Sequence, residues 1–536
     1  MDTIFYNGRI NSLNTAGTVY SAVGVENRRI SRLGSDAELK ALSRTGTEFV
    51  DLKGAVMFPG FMESHNHFSI IAYLLNALDL SASKVSCMDD ILSLVKAEAE
   101  KTAPGNWIKG SRYAEYFLAE NRHPTFKDLD VVSPDHPVVL FHTSFHACTL
   151  NSKALAIMDI RKETPDPQGG KIEKDPASGE PTGVLHDQAM MGVFNNLFFA
   201  DLEKMGPEER ITFVEAASQK FAEVGLVFAA DALVVPQVLN MYQEALAAGR
   251  LHPRLYTMNY APLADGLVGS GIKTGFGSGM LRIGPIKLFA DGGMSNRTAA
   301  VVKPYLTPPY DTGLKIYSPD ELKENVKRFH DLGYQIAIHA QGDAGLADTL
   351  DAFEAVLGSQ SDNPLRHRIE HAGCLYPDLL KRAADMNILA AVQPVFFSEL
   401  GDGFIEAFGP ELSHQLYPFR SMLNAGLRIG GSSDCPVSML DPRKGLSGAV
   451  LRKTPSGAVL APEEALTMDE AIRLYTQGSA YLSFDEKDSG TIEVGKRADF
   501  TVMAEDPRQV KPEEVLDIPF IMTVVDGRIV WSGESA

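Results

Sequence analysis

Cysteine is scarce in this chain of 536 residues. There are four, Cys87, Cys148, Cys374 and Cys435, and no two form a Cys-x-x-Cys pair. That excludes a disulfide framework and is expected of a protein kept in a reducing, cytoplasmic setting. Positive charge is in deficit: 50 Lys and Arg against 69 Asp and Glu give a net charge of −19. An acidic surface repels phosphate backbones and anionic lipid, so neither nucleic acid nor membrane is expected as a partner. No apolar run reaches the roughly 18 residues of a membrane span. The stretch from Met1 to Gly8 has no basic start followed by an apolar segment and does not read as a signal peptide. Internal repeats and low-complexity tracts are missing too. What remains is a globular chain long enough for one large core and one or two smaller units.

The two ends read alike. Thr3–Tyr6 leads into Asn7-Gly8, a hairpin signal, and Val19–Val25 and Phe49–Leu52 look like further strands. At the far end, Asp499–Met503 is followed by Ile521–Val525, Asp526-Gly527 and Arg528–Trp531, a second hairpin pattern. Neither end has enough apolar residues for its own core. The expectation is one small β-sandwich domain built from residues 1–58 and 486–536.

Between the ends, short apolar runs alternate with amphipathic helical stretches such as Pro377–Met386. The runs are Val56–Phe61, Leu226–Ala230, Arg254–Asn259, Ile283–Phe289, Gln335–His339, His367–His371, Ile388–Gln393 and Leu427–Gly431. Eight β-α units predict an α/β fold with a closed (β/α)8 TIM barrel over residues 59–485. About 160 residues separate the first two runs, where one unit needs about 30. The excess is a large insertion after strand 1, residues 80–205. It is rich in aromatics, and a helical stretch runs from His186 to Phe199.

Sorting polar residues by position locates the chemistry. The first run leads into His65-Asn66-His67, and residues two apart on a strand face one side. Run five ends at His339, run six at His371, and run eight leads to Asp434. Run four carries Lys287 among apolar residues. Imidazoles and carboxylates are common ligands for Zn²⁺ and similar ions, and TIM-barrel active sites lie at the C-terminal ends of the strands. A lysine buried there as an ammonium ion is costly without a partner or a changed form.

The order His-x-His, Lys, His, His, Asp over five strands resembles the amidohydrolase superfamily, specifically the branch of YtcJ-like hydrolases and N-substituted formamide deformylase. The resemblance is carried by Pro59-Gly60-Phe61, Ser64-His65-Asn66-His67 and Lys287-Leu288-Phe289-Ala290-Asp291-Gly292. It continues in His339-Ala340-Gln341-Gly342-Asp343, Ile369-Glu370-His371-Ala372 and Ser433-Asp434-Cys435-Pro436-Val437. The resemblance implies two divalent metal ions, Zn²⁺ first, with Fe²⁺ or Mn²⁺ served by the same donors. It implies that CO2 converts Lys287 into a bridging carbamate. His65, His67 and Asp434 would hold one ion, His339 and His371 the other, with a hydroxide shared between them. Asp434 would be the catalytic proton shuttle.

The expected reaction is hydrolysis of a C–N bond in a small-molecule amide or N-substituted formamide, by a homodimer, since symmetric dimers are the commonest oligomers. His146, Arg297, Tyr113 and Phe145 are the candidate substrate contacts, and the insertion is expected to cap the metals with an aromatic wall. Glu63 stands where relatives usually have Asp, and Tyr113 near where they often have Trp. Two other readings compete. A mononuclear deaminase would carry Glu three residues after His339, where this chain has Gly342. A non-catalytic regulatory protein on the same scaffold would have lost a ligand, and each position is filled.

Overall fold

The computed structural model describes residues 1–309, 311–359 and 362–533. Eight parallel strands make the central sheet: β1 (Phe61–Asn66), β2 (Leu226–Val234), β3 (Arg254–Tyr260), β4 (Leu281–Phe289), β5 (Ile336–Ala340), β6 (Arg368–His371), β7 (Leu389–Val392) and β8 (Ile429–Gly431). They pair in chain order from β1 to β8. The seam between β8 and β1 is drawn together by Ser64 Oγ, which donates to Gly431 O at 2.9 Å, and by Asp434 N–H, which donates to His65 O at 3.1 Å. The fold is therefore a TIM barrel. Its strands are apolar on both faces, as in Leu226–Val234, where all nine residues are buried. One face fills the barrel and the other packs on the outer helices.

Strand 1 begins later than the sequence reading has it. Val56–Pro59 pairs instead with Arg9–Asn11 and Phe500–Met503, in a six-stranded sheet that unites both chain ends. Gly60 makes the change of sheet. Its N–H donates to Asp499 O at 2.9 Å, and a Cβ there would stand 2.3 Å from Val227 Cγ2. A four-stranded sheet from Thr3–Tyr6, Ala22–Glu26, Arg29–Gly34 and Glu48–Asp51 completes the small β-domain. Asn7-Gly8 is not a hairpin: Thr3–Tyr6 lies in one sheet and Arg9–Asn11 in the other, so the turn carries the chain between them. Asp526-Gly527 does close a hairpin, with Val525 opposite Arg528.

The insertion has a sheet of its own. Six strands, from Leu78–Asp79 to Pro181–Asp187, form it. The following helix is Gln188–Lys204, two residues later at its start than the sequence suggests, because His186 and Asp187 belong to the last strand. Among the described residues, no helix is long and apolar enough to cross a membrane.

Candidate metal centre

The six ligand-type residues converge at the C-terminal mouth of the barrel. His65, His67, Lys287, His339, His371 and Asp434 all line one cavity. The ring centroids of His65 and His371 are 4.7 Å apart, and those of His371 and His339 are 4.5 Å apart. Ligand atoms of His65, His371 and Asp434 lie within 4.8 Å of one another. Asp434 Oδ1 is 3.1 Å from His67 Nε2 and 3.3 Å from His65 Nε2. His371 and Asp434 reach this position at φ 75° and 58°. Such backbone is costly for residues with a Cβ and concentrates at functional sites.

Three of the four histidines have an oxygen partner at the nitrogen facing away from the cavity, whereas His67 Nδ1 is buried without a hydrogen bond among the described residues. His65 Nδ1 meets Glu370 Oε2, His371 Nδ1 lies 2.9 Å from Gln393 Oε1, and His339 Nε2 lies 3.0 Å from Gly292 O. An oxygen acceptor requires the facing nitrogen to carry the proton, so His65 and His371 keep Nε2, and His339 keeps Nδ1, as the lone pair that a metal needs. Burial also pulls the imidazoles toward neutrality, lowering His371 to about 3 and His339 well below the usual histidine range. Burial works against a charge on Glu370, but Arg368 and His65 hold it below the carboxylate range. Arg368 Nε is 2.5 Å from Glu370 Oε1, and its Nη2 also donates to Ser64 O at 2.6 Å. Glu63 accepts from Ser433 N and Oγ at 2.8 and 2.9 Å, and burial pushes it up to about 8.

Lys287 is fully buried, and Nζ has no hydrogen-bond partner among the described residues. Burial pulls its pKa down to about 8, against the pull of Glu370 and Asp434. His65 Nε2 and Asp434 Oδ1 are likewise buried without hydrogen bonds. Three unsatisfied buried groups in one small space would be expensive as bare protein. An imidazole nitrogen, a carboxylate oxygen and an amine able to take up CO2 are a donor set suited to divalent ions. The residues present therefore fit the metals implied by the sequence.

The substrate candidates separate. His146 and Phe145 line the same cavity, with Ile70, Met191, Leu233 and Val437 nearby. Phe145 stacks on Phe141 at 5.0 Å and meets Phe194 edge-on at 5.1 Å. Tyr113 does not line the cavity. It is fully buried inside the insertion's own core, its hydroxyl 3.0 Å from Thr149 Oγ1 and 3.1 Å from His123 Nδ1. Arg297 does not line the cavity either; it pairs with Glu115 at 2.6 Å and donates to Thr307 Oγ1 at 2.7 Å. Sequence reasoning passed over Glu370, Gln393 and Asp187. Glu370 was in view, one residue before His371, but nothing local said that it would cross the barrel to His65.

A family model described as Amidohydrolase family matches residues 48–531. The chain is 30% identical to the N-substituted formamide deformylase of Arthrobacter pascens, over 98% of this chain and 97% of that one. It is 31% identical to the putative amidohydrolase YtcJ of Bacillus subtilis (strain 168), over 99% of each. Among solved structures it is similar to an uncharacterized metal-dependent hydrolase from Pyrococcus horikoshii OT3, with a TM-score of 0.77 and 26% identity, covering 95% of this chain and 99% of that one.

Proposed function

This chain belongs to the amidohydrolase family as a hydrolytic enzyme acting on C–N bonds, and we propose that it cleaves N-substituted formamides or other small amides with two divalent metal ions. The observation that carries this reading is the set of unpaired, buried donor atoms: His65 Nε2, Lys287 Nζ and Asp434 Oδ1. His65, His67 and Asp434 would hold one ion, His339 and His371 the other, and a carbamate on Lys287 would serve both. When bound, such ions polarise a carbonyl and make water acidic near neutral pH. A buried amine titrating at about 8 has a substantial neutral fraction near neutrality, and only the neutral amine adds CO2.

The protein's own work follows from its charges. Asp434 is anionic at neutral pH: burial opposes its charge, but His65, His67 and His371 hold its carboxyl well below the usual range. It can accept one proton from the attacking water. As the C–N bond breaks, its electron pair stays on nitrogen, and the proton passes from Asp434 to that nitrogen, giving a carboxylic acid and an amine. A formyl or other small acyl group would lie against the metals. The nitrogen substituent would lie along Phe145, Met191 and Leu233, which favours an apolar group. The deaminase reading has no support at Gly342, where even a Cβ would stand 2.0 Å from Ala300 O.

Elemental analysis of the purified protein, joined to a screen of N-formyl and N-acyl amines, tests this. About two ions per chain and turnover of an N-substituted formamide are expected. Lys287→Ala should lose metal and activity, and short-chain carboxylic acids should restore part of both. A fully active, metal-loaded Lys287→Ala enzyme would remove the two-ion reading.

A further inference from the structure

His146 lines the cavity beside Lys287 and Asp434, with its ring centroid 4.9 Å from that of His339. Its Nδ1 lies 2.7 Å from Asp187 Oδ1. A carboxylate only accepts, so Nδ1 carries the proton, and a neutral ring then presents a bare lone pair at Nε2. No described residue hydrogen-bonds that nitrogen.

The pair is built into the fold at visible cost. Asp187 ends the last strand of the insertion sheet at φ 46° and ψ −116°, a strained backbone for a residue with a Cβ. Its N–H donates to His146 O at 2.7 Å, and its side chain is 1% exposed. The loop after β4 gives way to both residues. A Cβ on Gly292 would stand 2.6 Å from Asp187 Oδ1, and one on Gly293 would stand 3.0 Å from His146 Cδ2. Two consecutive glycines thus let the insertion seat a histidine and its carboxylate against the strand that carries Lys287. Simple packing does not explain the carboxylate, since Asp187 Oδ2 is buried with no hydrogen-bond partner among the described residues.

We propose that His146, positioned by Asp187, reads the amide N–H of the substrate. Nε2 accepts that hydrogen, so the enzyme selects secondary amides over tertiary ones. This rests on the amide-hydrolase reading above. A tertiary amide has no hydrogen to give and sets a carbon against the lone pair, and a site built for a hydrogen bond rejects an analogue lacking it.

The test uses the zinc-loaded enzyme with a matched pair, N-benzylformamide and N-benzyl-N-methylformamide. The wild type should favour the secondary amide in kcat/KM by about tenfold or more. His146→Phe should lower kcat/KM for the secondary amide by about tenfold and leave the tertiary amide within about threefold. Asp187→Asn lets an amide NH2 face Nδ1 and should erode the preference in the same way, with metal content unchanged. The imidazole ¹⁵N resonances of His146, assigned by difference against His146→Phe, should show the Nδ1–H tautomer in the wild type. Finding the Nε2–H tautomer overturns the assignment whatever the kinetics. So does equal turnover of the two amides, or an equal loss on both in His146→Phe. If no amide of either kind is hydrolysed, the amide-hydrolase reading itself fails, and this assignment with it.

Discussion

At the scale of single residues, Lys287 and Asp434 show how burial sets chemistry. Without metal and CO2, a lysine that titrates at about 8 in the folded protein titrates at 10.5 when unfolded. Between those values the unfolded chain holds a proton that the folded chain has lost, so stability rises with pH across that window. Below about 8 the full cost of the buried charge is present. Lys287→Met removes that cost. The metal-free, CO2-free variant should therefore be more stable than the metal-free wild type at pH 7, and its margin should shrink between about pH 8 and pH 10. Urea midpoints measured along this series check it, and a margin independent of pH would contradict it. Asp434→Asn separates ligation from proton transfer. An amide oxygen can still bind a metal but cannot carry the proton, so metal should stay while kcat falls about 10² or more.

At the scale of elements, the decisive feature is where one strand stops and the next begins. Gly60 sits at that break, its Cβ position 2.3 Å from Val227 Cγ2. Gly60→Ala should cost about 1–3 kcal/mol, read as a lower urea midpoint, and Val227→Ala should recover part of the loss in the double variant. The sequence hid this break because Val56–Phe61 is one apolar run, and apolarity does not say which sheet a strand joins. Asn7-Gly8 misled for a related reason: a turn signal fixes a bend, not the partner of the next strand. The six ligand-type residues were legible because five of them stand at or just beyond the end of an apolar run and Lys287 stands as a lone charge inside one, both local patterns. Glu370, Gln393 and Asp187 were not legible as partners. Their meaning lies in contacts such as His65 with Glu370, 305 residues apart in the chain. Arg297 and Tyr113 went elsewhere because each found a buried polar partner, Glu115 and Thr149, that no periodicity announces.

At the scale of the molecule, the end domain is fastened to the barrel by charge. Arg254 on β3 donates to Asp499 at 2.7 and 2.8 Å and also pairs with Asp526. Thr501 and Thr523 add hydroxyl bonds to Gly225 O and Ala222 O, each at 2.6 Å. Asp499→Ala leaves a buried guanidinium short of a partner and should destabilise the chain by about 3 kcal/mol. KM should not move, because the pair lies at the opposite end of the strand from the metals. A changed KM would mean that the end domain reaches the site. The same union of ends bears on synthesis. Phe61 N–H, at the start of β1, is bonded to Thr501 Oγ1, 440 residues further on. A ribosome adding about 5–20 residues per second needs about 20–90 s to make that stretch. For all that time Val56–Pro59 keeps one edge unpaired, waiting for Phe500–Met503, so the sheet that joins the two ends is among the last parts to be completed.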